Sequence, residues 1–276
     1  MTFINFDSSI YDDTVSGMQY AKYCNKKYKP SAYDHSFDDS INENDVWFVK
    51  SDYLNEFFYK IKNNSFKITI VTQHSDYELD DIFLSERPKC VKTIFGPNAT
   101  SINKSVVKIP LGLGPPYCNL TPKVEDIKLL NTFQTRTKLL YTNFRTNTYP
   151  LERKPLLDYC LNLKNFSITI ANYDFLNSDE KIKNYLHDLI QHKFTLCPRG
   201  NGIDTHRLWE ALYCRTIPIV KYEYAYSNFK DLPILFVNDW TEITEDYLQN
   251  KYEEMMKQHW DYSKLKASWW GKIFKD

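Results

Sequence analysis

The sequence lacks several features that would place it in a simple functional class. Lys+Arg and Asp+Glu number 35 each, so the formal net charge is zero, whereas proteins that bind duplex nucleic acid usually carry a basic excess. The six cysteines are scattered, without a C-x-x-C pair or metal-ligand spacing. No apolar run approaches the ~18 residues that a membrane span needs. We therefore expect no nucleic-acid partner, no bound metal and no membrane span.

The amino-terminal residues also lack a targeting signal. Met1 to Asp7 contain neither a basic stretch nor an apolar run, so they do not form a secretory signal peptide. We expect a cytoplasmic protein with free thiols. Aromatic residues are abundant at 16%. They suit sugar stacking, but an A+T-rich coding sequence is the simpler explanation.

Short β-branched runs alternate with helical patterns along most of the chain, which predicts βαβ units and parallel sheets. The predicted strands of the first half are residues 46–49, 67–72, 93–95 and 106–109, with helices at 18–26 and 52–62. The predicted strands of the second half are 138–143, 166–170, 193–197, 217–220 and 235–237. Its predicted helices are 124–133, 151–161, 180–190, 204–214, 242–259 and 262–274.

Glycine and proline cluster between the two halves, in the segment PLGLGPPYCNLTP at residues 110–122, which is typical of an interdomain connection. The fold class is therefore α/β, with two Rossmann-type parallel-sheet lobes and a cleft between them. Ligands of open parallel sheets bind beyond the carboxyl ends of the strands. We therefore expect the chemistry in loops that face the cleft.

Residues 194–220, FTLCPRGNGIDTHRLWEALYCRTIPIV, contain the strongest functional pattern. A strand leads into a turn whose glycines permit close approach to a ligand, and Asp204 or Thr205 can cap the next helix. The amides at a helix start bind anions, and three cations lie nearby: Arg199, His206 and Arg207. Glu210 shares a helix face with Arg207 and could bind ribose hydroxyls. An ordinary βαβ crossover with a surface Arg207–Glu210 ion pair is the alternative.

This stretch closely resembles the carboxy-terminal motif of the exostosin-like glycosyltransferases, which form glycosyltransferase family 47 with viral and bacterial relatives. Two positions depart from the motif: Ile219 replaces valine, and Arg215 replaces the glycine that usually ends the helix. The positions that match this motif are Phe194, Leu196, Pro198, Gly200, Gly202, Thr205, Arg207, Glu210, Ala211, Ile217 and Pro218. Outside the motif, a weaker resemblance to the same family covers residues 45–240.

The resemblance implies a GT-B-like fold and a metal-independent, inverting enzyme that needs no cofactor and uses a UDP-sugar as donor. It implies an acceptor lobe at residues 1–120, a nucleotide-sugar lobe at 121–255, and a carboxy-terminal helix at 256–276 that crosses back to the first lobe. Without a membrane anchor, the chain resembles a soluble viral or microbial relative, in the host cytoplasm if viral. The residues expected to bind the donor diphosphate are Arg207, Arg153, Thr205, His206, Arg199 and Gly202, and those expected to bind the nucleoside are Glu210, Pro198 and Asn143.

Inversion needs a general base for the acceptor hydroxyl, and in this fold it comes from the first lobe. Three candidates follow predicted strands there: Asp76 and His74, ranked level, and then Asp52. Each could instead be a turn-capping residue.

The donor sugar and the acceptor stay open. Xylose, glucuronate, galactose and arabinose all fit the family as donors, and an oligosaccharide or a glycoprotein glycan fits as acceptor. Two alternatives remain: a GDP-fucose-dependent fucosyltransferase of the same fold, and a carbohydrate-binding subunit without catalysis. UDP would inhibit the exostosin type and GDP the fucosyltransferase type.

Overall fold

The computed structural model describes residues 6–31, 34, 40–115, 121–130, 136–163, 166–173 and 176–276. Within these residues, ten strands form two parallel sheets of five. This confirms the predicted α/β fold with two parallel-sheet lobes. The strands are β1 Lys26–Tyr28, β2 Val46–Lys50, β3 Ile68–Gln73, β4 Val91–Gly96, β5 Val106–Lys108, β6 Lys138–Thr142, β7 Ile168–Ile170, β8 His192–Leu196, β9 Ile217–Lys221 and β10 Leu235–Val237. The helices are α1 Gly17–Tyr20, α2 Leu54–Ile61, α3 Val124–Leu130, α4 Pro150–Asn162, α5 Ser178–Gln191, α6 His206–Tyr213, α7 Glu245–Met255 and α8 Ala267–Ile273.

The first sheet has the strand order β1-β2-β3-β4-β5. All six residues of β3 are buried, because both faces of the sheet are covered. Trp47 and Val49 pack in the cluster that contains Phe57 of α2. Val46 and Phe48 point to the opposite face and join the larger cluster of the second lobe and the chain ends, as the two-residue period of a strand requires.

The second sheet has the order β10-β9-β8-β6-β7. The chain builds outward from β6 to β7 and then crosses back to place β8 on the other side of β6. The strand order therefore reverses between β6 and β8. In open parallel sheets this switch point opens a crevice beyond the carboxyl ends of the two strands.

One predicted helix near the amino terminus was wrong, and one strand there was not predicted. The helix predicted at residues 18–26 is limited to α1, and Lys26–Tyr28 form strand β1 instead. The sequence Lys-Lys-Tyr has no apolar alternation of its own. Its strand conformation comes from parallel pairing with Trp47 to Val49 of β2, which is a long-range contact.

Both ends of the chain pack at the joint between the lobes. The Tyr213 hydroxyl of α6 accepts a hydrogen bond from the Val15 amide at 2.7 Å and donates one to the Leu265 carbonyl at 2.7 Å. Beyond α8, the Phe274 ring lies edge-on to Phe95 of β4, with centroids 4.9 Å apart. The carboxy-terminal helix thus contacts the first lobe. The exact domain boundaries stay predictions.

Arg215 ends α6 in the place where the family motif has glycine. Its φ is +58°, the left-handed conformation that favours glycine. Two hydrogen bonds form the usual helix stop: from the Thr216 amide to the Ala211 carbonyl at 2.9 Å, and from the Arg215 amide to the Leu212 carbonyl at 3.0 Å. The guanidinium stacks 4.1 Å from the Phe6 ring centroid, which compensates for part of the backbone strain.

Candidate functional site

A cavity of about 1020 Å³ opens beyond the carboxyl ends of β6, β7 and β8, at the switch point of the second sheet. We call it the β6–β8 cavity. It is bounded by the segment after β6, the segment after β7, one side of α5 and the start of α6. Its lining residues are Thr121, Thr142, Asn143, Phe144, Arg145, Thr146, Asn147, Thr148, Arg153, Leu157, Ile170, Ala171, Asn172, Tyr173, Lys181, Ile182, Tyr185, Thr205, His206, Arg207 and Glu210.

Helix α6 directs Arg207 and Glu210 into the β6–β8 cavity, as their three-residue spacing predicts. The two side chains take different partners. The Arg207 guanidinium donates to the Asn143 side-chain oxygen, and Glu210 accepts a hydrogen bond of 2.7 Å from the Tyr185 hydroxyl. Glu210 is only 7% exposed. The alternative interpretation of the motif was a surface ion pair between Arg207 and Glu210. The observed geometry differs from it, because each side chain bonds another residue and Glu210 is buried.

Arg153 adds a second cation from helix α4. Its guanidinium donates to three backbone carbonyls: Arg199 at 2.7 Å, Arg145 at 3.1 Å and Pro198 at 3.2 Å. Carbonyls do not neutralise a full charge, so positive charge remains beside the cavity. Burial and then the nearby Arg207 lower the pKa of Arg153 to about 10, which leaves it protonated at neutral pH. Two buried cations in close proximity favour an anionic ligand.

The first residues of α6 complete this wall of the β6–β8 cavity. Thr205 precedes the helix with extended backbone, and its side chain makes no capping bond. Its buried hydroxyl and that of Thr142 have no hydrogen-bond partner among the described residues. Both residues line the cavity.

Arg199 occupies a different position from the other predicted diphosphate residues. Its guanidinium pairs with Glu78 of the first lobe at 2.8 Å and with Glu223 at 3.5 Å, and it stacks 4.3 Å from the Tyr149 ring centroid. Neither Arg199 nor Gly202 is among the residues that line the β6–β8 cavity. The geometry favours Arg199 as a bridge between the lobes.

Gly202 meets the first lobe rather than the cavity. A Cβ atom at this position would lie 2.9 Å from Nδ2 of Asn98, whereas one at Gly200 would approach no atom closer than 3.4 Å. We expect Gly202→Ala to lower the free energy of unfolding by ~1–3 kcal/mol, because the Asn98 amide is held on both sides and overpacking displaces it.

Gly200→Ala is the matched control for this expectation. It adds the same methyl group in the same turn, where the space is sufficient, and we expect a change within ~0.5 kcal/mol. Urea unfolding of both variants measures the difference. Equal destabilisation by the two substitutions would contradict the proposed contact.

The three candidate bases lie in the first lobe, close to one another. Asp52 pairs with Lys50, so its carboxylate already has a cationic partner. Asp76 is exposed and interacts electrostatically with the same lysine. His74 is half-buried and has a φ of +65°. Backbone strain of this kind is common at functional sites.

His74 is electrostatically coupled to the second lobe. Its ring packs edge-on to Phe48 at 6.0 Å and lies against Gly17, where any Cβ atom would collide with the imidazole. Burial, then the neighbouring His206 and Lys50, lower the pKa of His74 to about 4. His206 lines the β6–β8 cavity, and its Nδ1 atom hydrogen-bonds to the Gly112 carbonyl at 2.6 Å. His74 is therefore neutral at physiological pH, and it interacts electrostatically with a residue that lines the cavity.

Two residues of the site were missed by the sequence analysis. Tyr185 carries the hydroxyl that holds Glu210, but on α5 it has the spacing of an ordinary core residue. Asp204 was considered only as a helix cap. Its buried carboxylate accepts hydrogen bonds from Trp209 Nε1 at 2.9 Å and from the Leu111 amide at 2.8 Å, and burial raises its pKa to about 7. No local pattern distinguishes either role.

Comparison with known proteins adds a family match. The family model described as the RXYLT1 C-terminal domain matches residues 123–276, which is more than half of the chain. A search of curated proteins finds no match.

Similar solved structures are distant from this chain. An α1,3-fucosyltransferase with GDP-fucose is 13% identical with a TM-score of 0.45, and the match covers 87% of this chain and 80% of that one. A UDP-forming α,α-trehalose-phosphate synthase from Burkholderia vietnamiensis is 9% identical with a TM-score of 0.44, over 85% of this chain and 74% of that one. Likeness at this level carries no information on substrates. No helix in the described part of the chain is long and apolar enough to cross a membrane.

Proposed function

We propose a function from the premise that the chain belongs to the RXYLT1 C-terminal domain family of exostosin-related glycosyltransferases. In this proposal the protein transfers a sugar from a UDP-sugar to a glycan acceptor. We further propose that the transfer inverts the anomeric carbon and needs no metal. The observation that carries the proposal is the convergence of Arg207, Arg153 and Glu210 on one cavity at the switch point of the second sheet.

The charges around the β6–β8 cavity fit a nucleoside diphosphate. Among the described residues, four cationic side chains line it, from Arg145, Arg153, Lys181 and Arg207, against one carboxylate, that of Glu210. The diphosphate would lie at the start of α6, where backbone amides and Arg207 stabilise the charge that develops on the leaving UDP. Thr205 lines the same end of the cavity, beside the proposed position of the phosphates. Protein cations in this position supply the charge that a metal ion supplies in other transferases.

Glu210 would accept hydrogen bonds from the ribose hydroxyls. Tyr185 holds one of its carboxylate oxygens and leaves the other available. The apolar side chains of Leu157 and Ile182 line the same cavity and would cover the base. Asn143 lies beside Arg207 through their hydrogen bond, so it would orient the guanidinium while also facing the nucleotide.

In the proposed reaction, the acceptor oxygen attacks the anomeric carbon from the face opposite to the diphosphate. The new C–O bond forms as the C–O bond to UDP breaks, and that electron pair stays on the β-phosphate oxygen. The acceptor proton passes to a base in the first lobe. We assign this role to His74 over Asp76 and Asp52. Asp52 is already paired with Lys50, and Asp76 is exposed. His74 is half-buried with a left-handed backbone and interacts electrostatically with His206, which lines the cavity.

Isothermal calorimetry with UDP and with GDP, in the presence of EDTA, tests the donor site. We expect UDP to bind and Glu210→Ala to weaken its affinity by roughly 10–100-fold, since hydrogen bonds to a charged group contribute ~1.5–3 kcal/mol. Glu253→Ala, at an exposed glutamate of α7, is the control and is expected to leave the affinity unchanged.

The other outcomes separate the alternatives. Preferential binding of GDP would favour a fucosyltransferase-like donor. UDP binding without UDP release from any of the four candidate UDP-sugars would indicate a binding subunit. If folded protein binds neither nucleotide, the glycosyltransferase proposal fails.

A further inference from the structure

Asn98 spans the gap between the lobes and uses both ends of its side-chain amide to do so. Its Nδ2 atom donates to the Ser75 carbonyl at 3.2 Å, one residue beyond His74. Its Oδ1 atom accepts from the Asp204 amide at 2.7 Å, one residue before Thr205. One amide group thus joins the 74–78 loop of the first lobe to the segment that begins α6.

The backbone at Asn98 restricts which side chain can occupy this place. Its φ is +53°, and the residue is 2% exposed. Apart from glycine, asparagine and aspartate tolerate this conformation best. The residue also begins the sequon Asn98-Ala99-Thr100, and its burial between the lobes leaves no room for a glycan. The asparagine at this position is therefore explained by its backbone conformation and its contacts between the lobes, and not by glycosylation.

The second-lobe end of this connection is rigid. The Asp204 carboxylate accepts from Trp209 within α6 and from Leu111 in the segment that links the lobes. Because Gly202 has no side chain, its backbone lies directly against the Asn98 amide. A change at Asn98 therefore acts on the 74–78 loop, whose Ser75 carbonyl loses its hydrogen bond.

We propose that Asn98 is a positioning residue that sets the distance between His74 and the donor-binding start of α6. This inference rests on the proposed function, in which His74 accepts the acceptor proton. The side-chain hydrogen bonds of Asn98 go to Ser75 and Asp204, and none of these three residues is among those that line the β6–β8 cavity. Asn98 acts through the Ser75 carbonyl on one side and the Asp204 amide on the other.

Asn98→Asp separates the two halves of this role. Aspartate has nearly the same shape and tolerates the same backbone conformation, and it can still accept from the Asp204 amide. In its carboxylate form it cannot donate to the Ser75 carbonyl, which would face a repelling oxygen. We expect the donor site to persist and the 74–78 loop to move. Since a displacement of ~1 Å at the reacting groups can lower a rate by ~10²-fold, we expect kcat to fall by roughly 10–100-fold while the KM for the UDP-sugar stays within about 2-fold.

The experiment measures UDP release from UDP-xylose, UDP-glucuronate, UDP-galactose and UDP-arabinose, with water as the acceptor of the sugar, and UDP affinity by calorimetry. Wild type, Asn98→Asp, His74→Ala and the double variant are compared. If Asn98 acts through His74, its substitution has little further effect in the His74→Ala background, whereas independent roles would multiply. Asn103→Asp, at an exposed asparagine of another sequon, is the matched control.

Asn98→Gly is the second variant, because a buried aspartate near Asp204 could prevent folding. Glycine keeps the left-handed backbone and removes both hydrogen bonds, so the fall in kcat is expected again. Unchanged kcat in a folded variant, or a loss of UDP affinity that matches the loss of kcat, would overturn the positioning role while leaving the proposed function intact. A wild type that releases UDP from none of the donors would overturn both.

Discussion

Replacing His74 with alanine is expected to lower the turnover number by roughly 10²–10³-fold and to leave UDP affinity unchanged. General base catalysis contributes about 10²–10⁴-fold in rate, and His74 lies near the β6–β8 cavity without lining it. Initial rates of UDP release, together with calorimetry on the same preparation, measure both quantities.

The pH profile of wild type adds a second test of His74. The folded protein lowers its pKa from 6.5 to about 4, and a base acts in its deprotonated form, above its pKa. The rate is therefore expected to stay constant as the pH falls through 6.5, and to decline only towards pH 4. A rate that halves near pH 6.5 would show that His74 keeps the pKa of a solvent-exposed imidazole, and so is not buried as it is in the structure.

Gly17→Ala tests the same base without altering it. The new methyl group would occupy the position of the His74 imidazole and displace the ring, so turnover is expected to fall with little loss of UDP affinity. Met18→Ala, at a neighbouring exposed position, is the control. If His74→Ala retains full turnover and Asp76→Asn abolishes it, the base is Asp76, and a corresponding result with Asp52→Asn would assign it there.

Replacing Arg207 with alanine is expected to weaken UDP binding by at least roughly 10–100-fold. The guanidinium is the cation nearest the start of α6 in the β6–β8 cavity, and charge-assisted hydrogen bonds to phosphate contribute ~1.5–3 kcal/mol each. Arg207→Lys is expected to restore only part of the affinity, because an ammonium group cannot hold Asn143 and a phosphate with the planar geometry of arginine. Calorimetry with UDP measures all three proteins.

Arg199→Ala is the informative comparison for Arg207. The same motif predicts both arginines at the diphosphate, but Arg199 pairs with Glu78 and Glu223. We therefore expect this variant to bind UDP within about 3-fold of wild type. If Arg199→Ala loses as much affinity as Arg207→Ala, the ion pairs open when the nucleotide binds, and the assignment made from sequence is right.

Much of the donor side of the site was predictable from sequence because it is local. A strand, a glycine turn and a helix that carries Arg207 and Glu210 three residues apart place both side chains on one face, whatever surrounds them. Strand β10 was predicted with its observed bounds, since a short apolar run between turn residues has few other conformations in an α/β chain. The family motif added the chemical meaning of these positions.

The tertiary structure decided everything that depends on two distant segments meeting. Side-chain periodicity within a dozen residues predicted most of the helices and strands and the α6 motif from sequence alone. Only the folded chain could show that Arg199 reaches Glu78 and that Asn98 joins Ser75 to Asp204, because those partners lie about 100 residues apart. Local pattern restricts backbone conformation and the direction of each side chain. It contains no information on which loop of the other lobe closes the cleft, since that depends on the packing of both sheets against the shared joint.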